Sequence, residues 1–236
     1  HSSGDIIGDS SAPYLNSLAA QGANFTQSSG VTHPSEPNYL ALFSGSTQGL
    51  TDDSCPHAFT GANLAGELIA AGDTFAGYSE SMPSSGYTGC TAGAYARKHN
   101  PWVDFSNVPA TANLPLSALP TDFAALPTVA IVIPNLCNDM HDCRVAAGDA
   151  WAQQHLPGYL DWARTHDSLL IVTFDEDNDT AANHIPTVFV GPMVRPGDVP
   201  ERIDHYTILR TIEDAYRLPP LGAAATTPPI TGIWAQ

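Results

Sequence analysis

Five oxygen-bearing side chains follow one another in Asp175-Glu176-Asp177-Asn178-Asp179, directly after the apolar run Leu169–Phe174. Carboxylates crowded at the end of a buried strand repel each other and lose hydration unless something pairs with them. A hard divalent cation, which takes oxygen ligands, would do so. The plain alternative is a solvated acidic turn. Asp175 and Glu176 lie nearest the strand and are the first choice as ligands. An EF-hand is excluded, because Thr180 and Pro186 stand where that loop needs Gly and Glu.

Ser35 raises a second question. It sits between prolines in Thr32-His-Pro-Ser-Glu-Pro-Asn-Tyr, just before an apolar run. One reading is a helix cap, its hydroxyl bonded to backbone N–H groups. The other is a nucleophile, placed where those N–H groups and the helix dipole stabilise an anion. A metal that lowers the hydroxyl pKa would make the second reading competent. Two histidines, His141 in Asn138-Asp-Met-His-Asp and His184 before Ile-Pro-Thr-Val-Phe-Val, fall at expected loop ends near the same strands. Each alone reads as an ordinary polar residue; with the acidic run they form a constellation. A Ser-His-Asp acyl hydrolase is disfavoured. No GxSxG elbow occurs, and the Gly-Asp-Ser at residues 8–10 lacks the downstream Asp-x-x-His of its esterase class.

The elements that must position these groups are legible. Ser10-Ser11-Ala12-Pro13 starts a helix that Gly22 ends, with a short strand at Ala23–Thr26. A helix follows Ser35, another spans Asn63–Ala71, and Thr74–Tyr78 is a strand. Residues 79–127 are rich in Ser, Gly and Pro and read as loops and short helices inserted over the active-site face. Thr128–Ile133 and Leu169–Phe174 are continuous apolar runs, as expected of strands buried on both faces. Residues 145–166 form a helix interrupted at Pro157, Thr187–Val190 is a third strand, and Asp204 caps a last helix. The Pro/Thr-rich tail from Pro219 reads as a surface wrap. Strands alternating with amphipathic helices give an α/β fold, a three-layer α/β/α sandwich with a mainly parallel sheet, in one domain over residues 1–236. Ligands in such folds bind beyond the carboxyl ends of the strands. That selects the stretches after Ile133, after Phe174 and leading to Ser35.

The net charge is −16, with a single lysine, Lys98. That excludes a basic groove for nucleic acid and disfavours adhesion to anionic lipid by charge alone. No apolar run is long enough to cross a membrane as a helix. Four cysteines without a CxxC pair argue against zinc ribbons and favour two disulfides in a secreted or extracytoplasmic setting. Cys137 with Cys143 and Cys55 with Cys90 are the favoured pairs, out of three possible connectivities.

His-Pro-Ser-Glu-Pro-Asn-Tyr-Leu-Ala-Leu-Phe-Ser-Gly-Ser, Tyr-Ala-Arg-Lys-His-Asn-Pro, Ile-Pro-Asn-Leu-Cys-Asn-Asp-Met-His-Asp-Cys, Thr-Phe-Asp-Glu-Asp-Asn with Asn-His-Ile-Pro-Thr-Val-Phe-Val-Gly-Pro, and Asp-His-Tyr-Thr-Ile-Leu-Arg-Thr-Ile-Glu-Asp-Ala-Tyr run in order over most of the chain. Together they resemble the phosphoesterase family of bacterial acid phosphatases and phospholipases C, in the alkaline-phosphatase-like superfamily. The resemblance implies Ser35 as nucleophile and Asn38 as a donor to a phosphate oxygen. It implies Asp175, Glu176 and Ser35 as ligands of one divalent metal (Ca, Mg or Zn). His141 and His184 would face the phosphate, and His99 would stand at the substrate mouth. It also implies a buried strand and a Glu-Asn ligand pair ahead of His1, neither of which is in this sequence. The expected function is metal-dependent hydrolysis of phosphate monoesters through a phosphoserine, by a monomer. The rivals are a phospholipase C-type diesterase acting on a phospholipid headgroup and a non-catalytic metal-binding form.

Overall fold

The computed structural model describes residues 1–235. Helix α1 (Pro13–Gln21) leads into strand β1 (Ala23–Ser28), and helix α2 (Ser35–Ser44) follows after a short loop. Pro13 occupies the first turn of α1, where its missing N–H costs nothing. Helix α3 (Leu64–Ala71) is capped by Asn63, whose side chain accepts from Gly66 N at 2.9 Å, and precedes β2 (Phe75–Ser79). After β2 come a small hairpin, β3 (Thr91–Ala92) and β4 (Tyr95–Ala96), and the strand β5 (Asn113–Pro115). Strand β6 (Val129–Ile133), helices α4 (Val145–His155) and α5 (Pro157–Ala163), strands β7 (Leu170–Thr173), β8 (Thr187–Val190) and β9 (Gly197–Ile203), and helix α6 (His205–Tyr216) complete the order. Asp204 caps α6 by accepting from Thr207 N at 3.0 Å.

The strands form two main sheets. One is parallel, in the order β5-β2-β6; the other is mixed, in the order β7-β8-β1-β9. In the mixed sheet β8 runs antiparallel to both neighbours, so β1 and β7 point the same way. Strand β9, which the sequence reading missed, pairs parallel to β1. Its Gly-Asp-Val-Pro-Glu-Arg-Ile sequence is mostly exposed on this edge and carries no apolar signal. Strands β2 and β8 are buried along their length. Strands β6 and β7, expected to be buried on both faces, are mostly half-buried and lie at the edges of their sheets. Among the described residues those edges are unpaired.

The segment 79–127 is more than a covering. β5 pairs parallel to β2, and Tyr95, Trp102 and Phe105 are buried, with Trp102 and Phe105 in the core beneath α2. Gly77 permits this, since a Cβ there would lie 2.1 Å from the Trp102 ring. The tail also departs from expectation. Leu221, Ala224, Ile230 and Ile233 are buried in the cores on either side of α6 rather than laid on the surface. Cys55–Cys90 and Cys137–Cys143 are both disulfide-bonded, as favoured. No helix is long and apolar enough to cross a membrane, among the described residues.

Candidate active site

Ser35 is the first residue of α2, and the cap position belongs to Pro34. Its hydroxyl does not serve the helix. Ser35 Oγ donates to Glu176 Oε1 at 2.8 Å, across 141 residues of chain. This argues against the capping role, because a capping hydroxyl would bond a backbone N–H of its own helix. Glu176 Oε2 meets His33 Nδ1 at 2.5 Å, and His33 Nε2 lies 3.2 Å from Thr180 O. A serine, a carboxylate and an imidazole thus stand in line. Burial alone would lower the His33 pKa. Hydrogen bonds to Glu176 and Thr180, with the charges of Glu176 and Asp177, outweigh it and raise the pKa. The sequence reading missed His33; its only signal was closeness to Ser35.

The loop carrying Glu176 is laced to the loop before Ser35. Asp177 accepts from Thr180 N (2.8 Å), the Thr180 hydroxyl and His184 N (3.1 Å). Burial pushes the Asp177 pKa up, but these bonds and His33 bring it net down. Asn183 accepts from Asp177 N at 2.9 Å and donates to Thr32 O at 2.7 Å. Gly30 lies against this junction, where a Cβ would come within 2.6 Å of Asn183 Nδ2 and 2.7 Å of Asp175 O. From the other side His205 Nε2 donates to Asp175 O at 2.6 Å.

Three expected roles meet a different geometry. The Asn38 side chain accepts from Val31 N and Thr32 N and donates to Thr32 O and Pro34 O. Its amide is therefore saturated, and it clamps the loop before Ser35 instead of presenting a free donor to phosphate. His184 Nε2 bonds Thr26 O at 2.9 Å, so the ring is committed to β1. His141 is exposed, with Nδ1 2.7 Å from Asp142 Oδ1 and Nε2 3.1 Å from Lys98 Nζ. An ammonium can only donate, so His141 Nε2 accepts and Nδ1 carries the proton.

His99 is better placed than its modest signal suggested. It is buried, stacks on Tyr39 with ring centroids 5.0 Å apart, and has Nδ1 3.0 Å from Asp139 Oδ2. Its Nε2 has no protein partner. Tyr39 lies one turn along α2 from Ser35, on the same face. Desolvation pushes the Tyr39 pKa well up, helped by the charges of Asp175, Asp139, Glu176 and Asp53. Asp53 Oδ1 accepts from Glu36 N at 2.9 Å, occupying one amide at the α2 N-terminus, while Oδ2 takes Lys98 Nζ at 2.8 Å. Beneath it Glu36 is buried. Desolvation, with the charges of Asp104 and Asp53, pushes its pKa to about 8.

The sequence of residues 8–219 matches the model of the phosphoesterase family. The chain belongs to that family. It is a phosphoric ester hydrolase by the company it keeps. It is 55% identical over 232 residues to a phosphatidylinositol-3-phosphatase of Mycobacterium tuberculosis, covering 97% of this chain and 78% of the relative. It is 29% identical to an acid phosphatase of Aspergillus fumigatus, covering 87% of this chain and 51% of the relative, so it spans about half that protein's length. The fold is that of a protein in the alkaline phosphatase superfamily from Vibrio parahaemolyticus, with a TM-score of 0.61 at 13% identity over 94% of this chain and 65% of that one.

A metal tests the phosphoesterase site further. Ser35 Oγ and the Asp175 and Glu176 carboxylates are hard oxygen donors, the chemistry a divalent cation prefers. The set is nevertheless incomplete. Among the described residues no three His, Cys, Asp or Glu side chains converge to hold an ion. The described residues therefore offer only part of a donor set.

Proposed function

We propose that this phosphoesterase hydrolyses phosphate monoesters through a phosphoserine on Ser35. The observation that carries the reading is the 2.8 Å hydrogen bond from Ser35 Oγ to Glu176 Oε1 at the N-terminus of α2. Ser35 Oγ attacks phosphorus in line and passes its proton to Glu176 as the bond to the leaving oxygen breaks. His33, against the other oxygen of Glu176, holds that carboxylate in place. The leaving oxygen needs a proton. His141 and His184 were the expected donors, but both Nε2 atoms are engaged. As an imidazolium, held through Nδ1 by Asp139 and with Nε2 unpartnered, His99 suits the task better. Water then attacks the phosphoserine and restores Ser35.

A divalent cation, held by Asp175, Glu176 and Ser35, would supply charge to the phosphate and lower the pKa of the Ser35 hydroxyl. Its presence is tested by thermal unfolding with EDTA and with Ca, Mg or Zn restored. A stabilisation by one metal that Asp175→Asn removes supports it, and identical unfolding in all conditions opposes it. The 55% identity to a phosphatidylinositol-3-phosphatase makes a phosphoinositide headgroup the first physiological substrate to assay. The two disulfides suit an extracytoplasmic setting. The test of the reaction is turnover of p-nitrophenyl phosphate by the wild type and Ser35→Ala, with acid-quenched trapping of the phosphoenzyme. Turnover that survives the Ser35→Ala substitution removes the assignment.

A further inference from the structure

We propose that Lys98 is the cationic contact for the phosphate group of the substrate, and that it makes the site prefer monoester dianions to diester monoanions. The proposal deepens the phosphate-ester reading and rests on it. Lys98 is the only lysine in a chain of net charge −16. It lies in the turn Arg97–His99, which packs on α2, and the next residue stacks on Tyr39. Its ammonium bonds Asp53 Oδ2 at 2.8 Å, and Asp53 Oδ1 takes the N–H of Glu36, the residue after Ser35. One carboxylate group therefore separates the ammonium from the N-terminus of α2. The second bond, to His141 Nε2 at 3.1 Å, fixes the ammonium from the other side. An ammonium carries three hydrogens, and these two partners leave one to donate. The side chain retains 20% exposure, so the ammonium is open to an anion from solvent without unpacking the turn.

The neighbouring cation does not compete for this role. Arg97 is buried, bonded to Asp104 through Nε at 2.9 Å and to the carbonyls of Thr88, His57 and Val103. Asp53, Asp139, Asp175 and Glu176 surround the site with negative charge. An incoming phosphate is repelled by that charge, and more strongly the more charge it carries. A fixed ammonium donating to a phosphate oxygen offsets the repulsion. A monoester dianion concentrates its charge on three terminal oxygens, whereas a diester spreads one charge over two, so the monoester gains more.

The experiment compares Lys98→Met and Lys98→Arg with the wild type in the full chain. Folding is checked by thermal unfolding, and p-nitrophenyl phosphate and bis(p-nitrophenyl) phosphate serve as substrates. Inorganic phosphate binding is measured by calorimetry on the Ser35→Ala background, which needs no turnover. Lys98→Met is expected to weaken phosphate binding and raise the monoester KM by about tenfold or more, with kcat moving less. The diester KM should change by less than about threefold, and Lys98→Arg should recover most of the loss. Equal losses for both substrates, or phosphate binding unchanged in folded Lys98→Met, overturn the proposal. If the wild type turns over neither ester, the proposed reaction fails by itself and the calorimetry still decides whether Lys98 meets phosphate.

Discussion

The mixed sheet β7-β8-β1-β9 and the parallel sheet β5-β2-β6 bring different chemistry to one mouth. The mixed sheet supplies the proposed reacting line. β7 runs into the loop carrying Asp175 and Glu176, and β1 runs into the loop holding His33, which ends at Ser35 on α2. The parallel sheet supplies the groups that would meet the substrate. β2 leads towards Lys98 and His99, and β6 leads to Asp139 and His141. The reacting line is stiffened by main-chain lacing through Asn183, Asn38 and His205. The proposed substrate side is held mainly by side-chain hydrogen bonds on loops, with both disulfides in the same loops. Nucleophile geometry tolerates little displacement, whereas substrate recognition can adapt.

The largest expected effects fall on the reacting line. Ser35→Ala should lower kcat for p-nitrophenyl phosphate by at least about a thousandfold, and Glu176→Gln by about a hundredfold or more, in folded protein. On the substrate side Asp139→Asn should cost about tenfold in kcat, shown by steady-state assays across leaving groups of different pKa. The penalty should grow as the leaving group becomes more basic. A uniform loss would assign His99 a packing role instead.

The disulfides sharpen the contrast through stability. Replacing Cys55 and Cys90, which close a loop of sequence separation 35, should cost about 4 kcal/mol, and replacing Cys137 and Cys143, with separation 6, about 2 kcal/mol. Calorimetric Tm values of the two serine pairs test the order. A further effect is a pH dependence from a buried acid. Glu213, buried on α6, accepts from Leu221 N at 2.9 Å, and desolvation pushes its pKa to about 7 from an ordinary 4.5. The folded state keeps this proton where the unfolded chain has lost it. Its contribution is therefore full below about 4.5 and declines as pH rises to about 7. Thermal unfolding of Glu213→Gln should show a shallower loss of Tm between pH 5 and pH 8 than the wild type.

The amino-acid sequence by itself determined the local elements and the candidates for the chemistry. Proline, glycine and cap residues placed α1, α3 and α6 close to their observed ends. An acidic pair after an apolar run and a serine ahead of another singled out Glu176 and Ser35, because charge and burial patterns are local properties. What lay across the chain was not legible. β9 has no apolar run and forms only because β1 offers an edge. The half-burial of β6 and β7 goes with their edge positions, which an apolar run does not encode. Asp53, Lys98, Asp139 and His33 gain meaning only through partners 40 to 143 residues away. Only the tertiary structure decided that Asn38 is spent on backbone and that His99 is oriented by Asp139. A side chain has a fixed number of hydrogen bonds to give, and folding decides which neighbours take them.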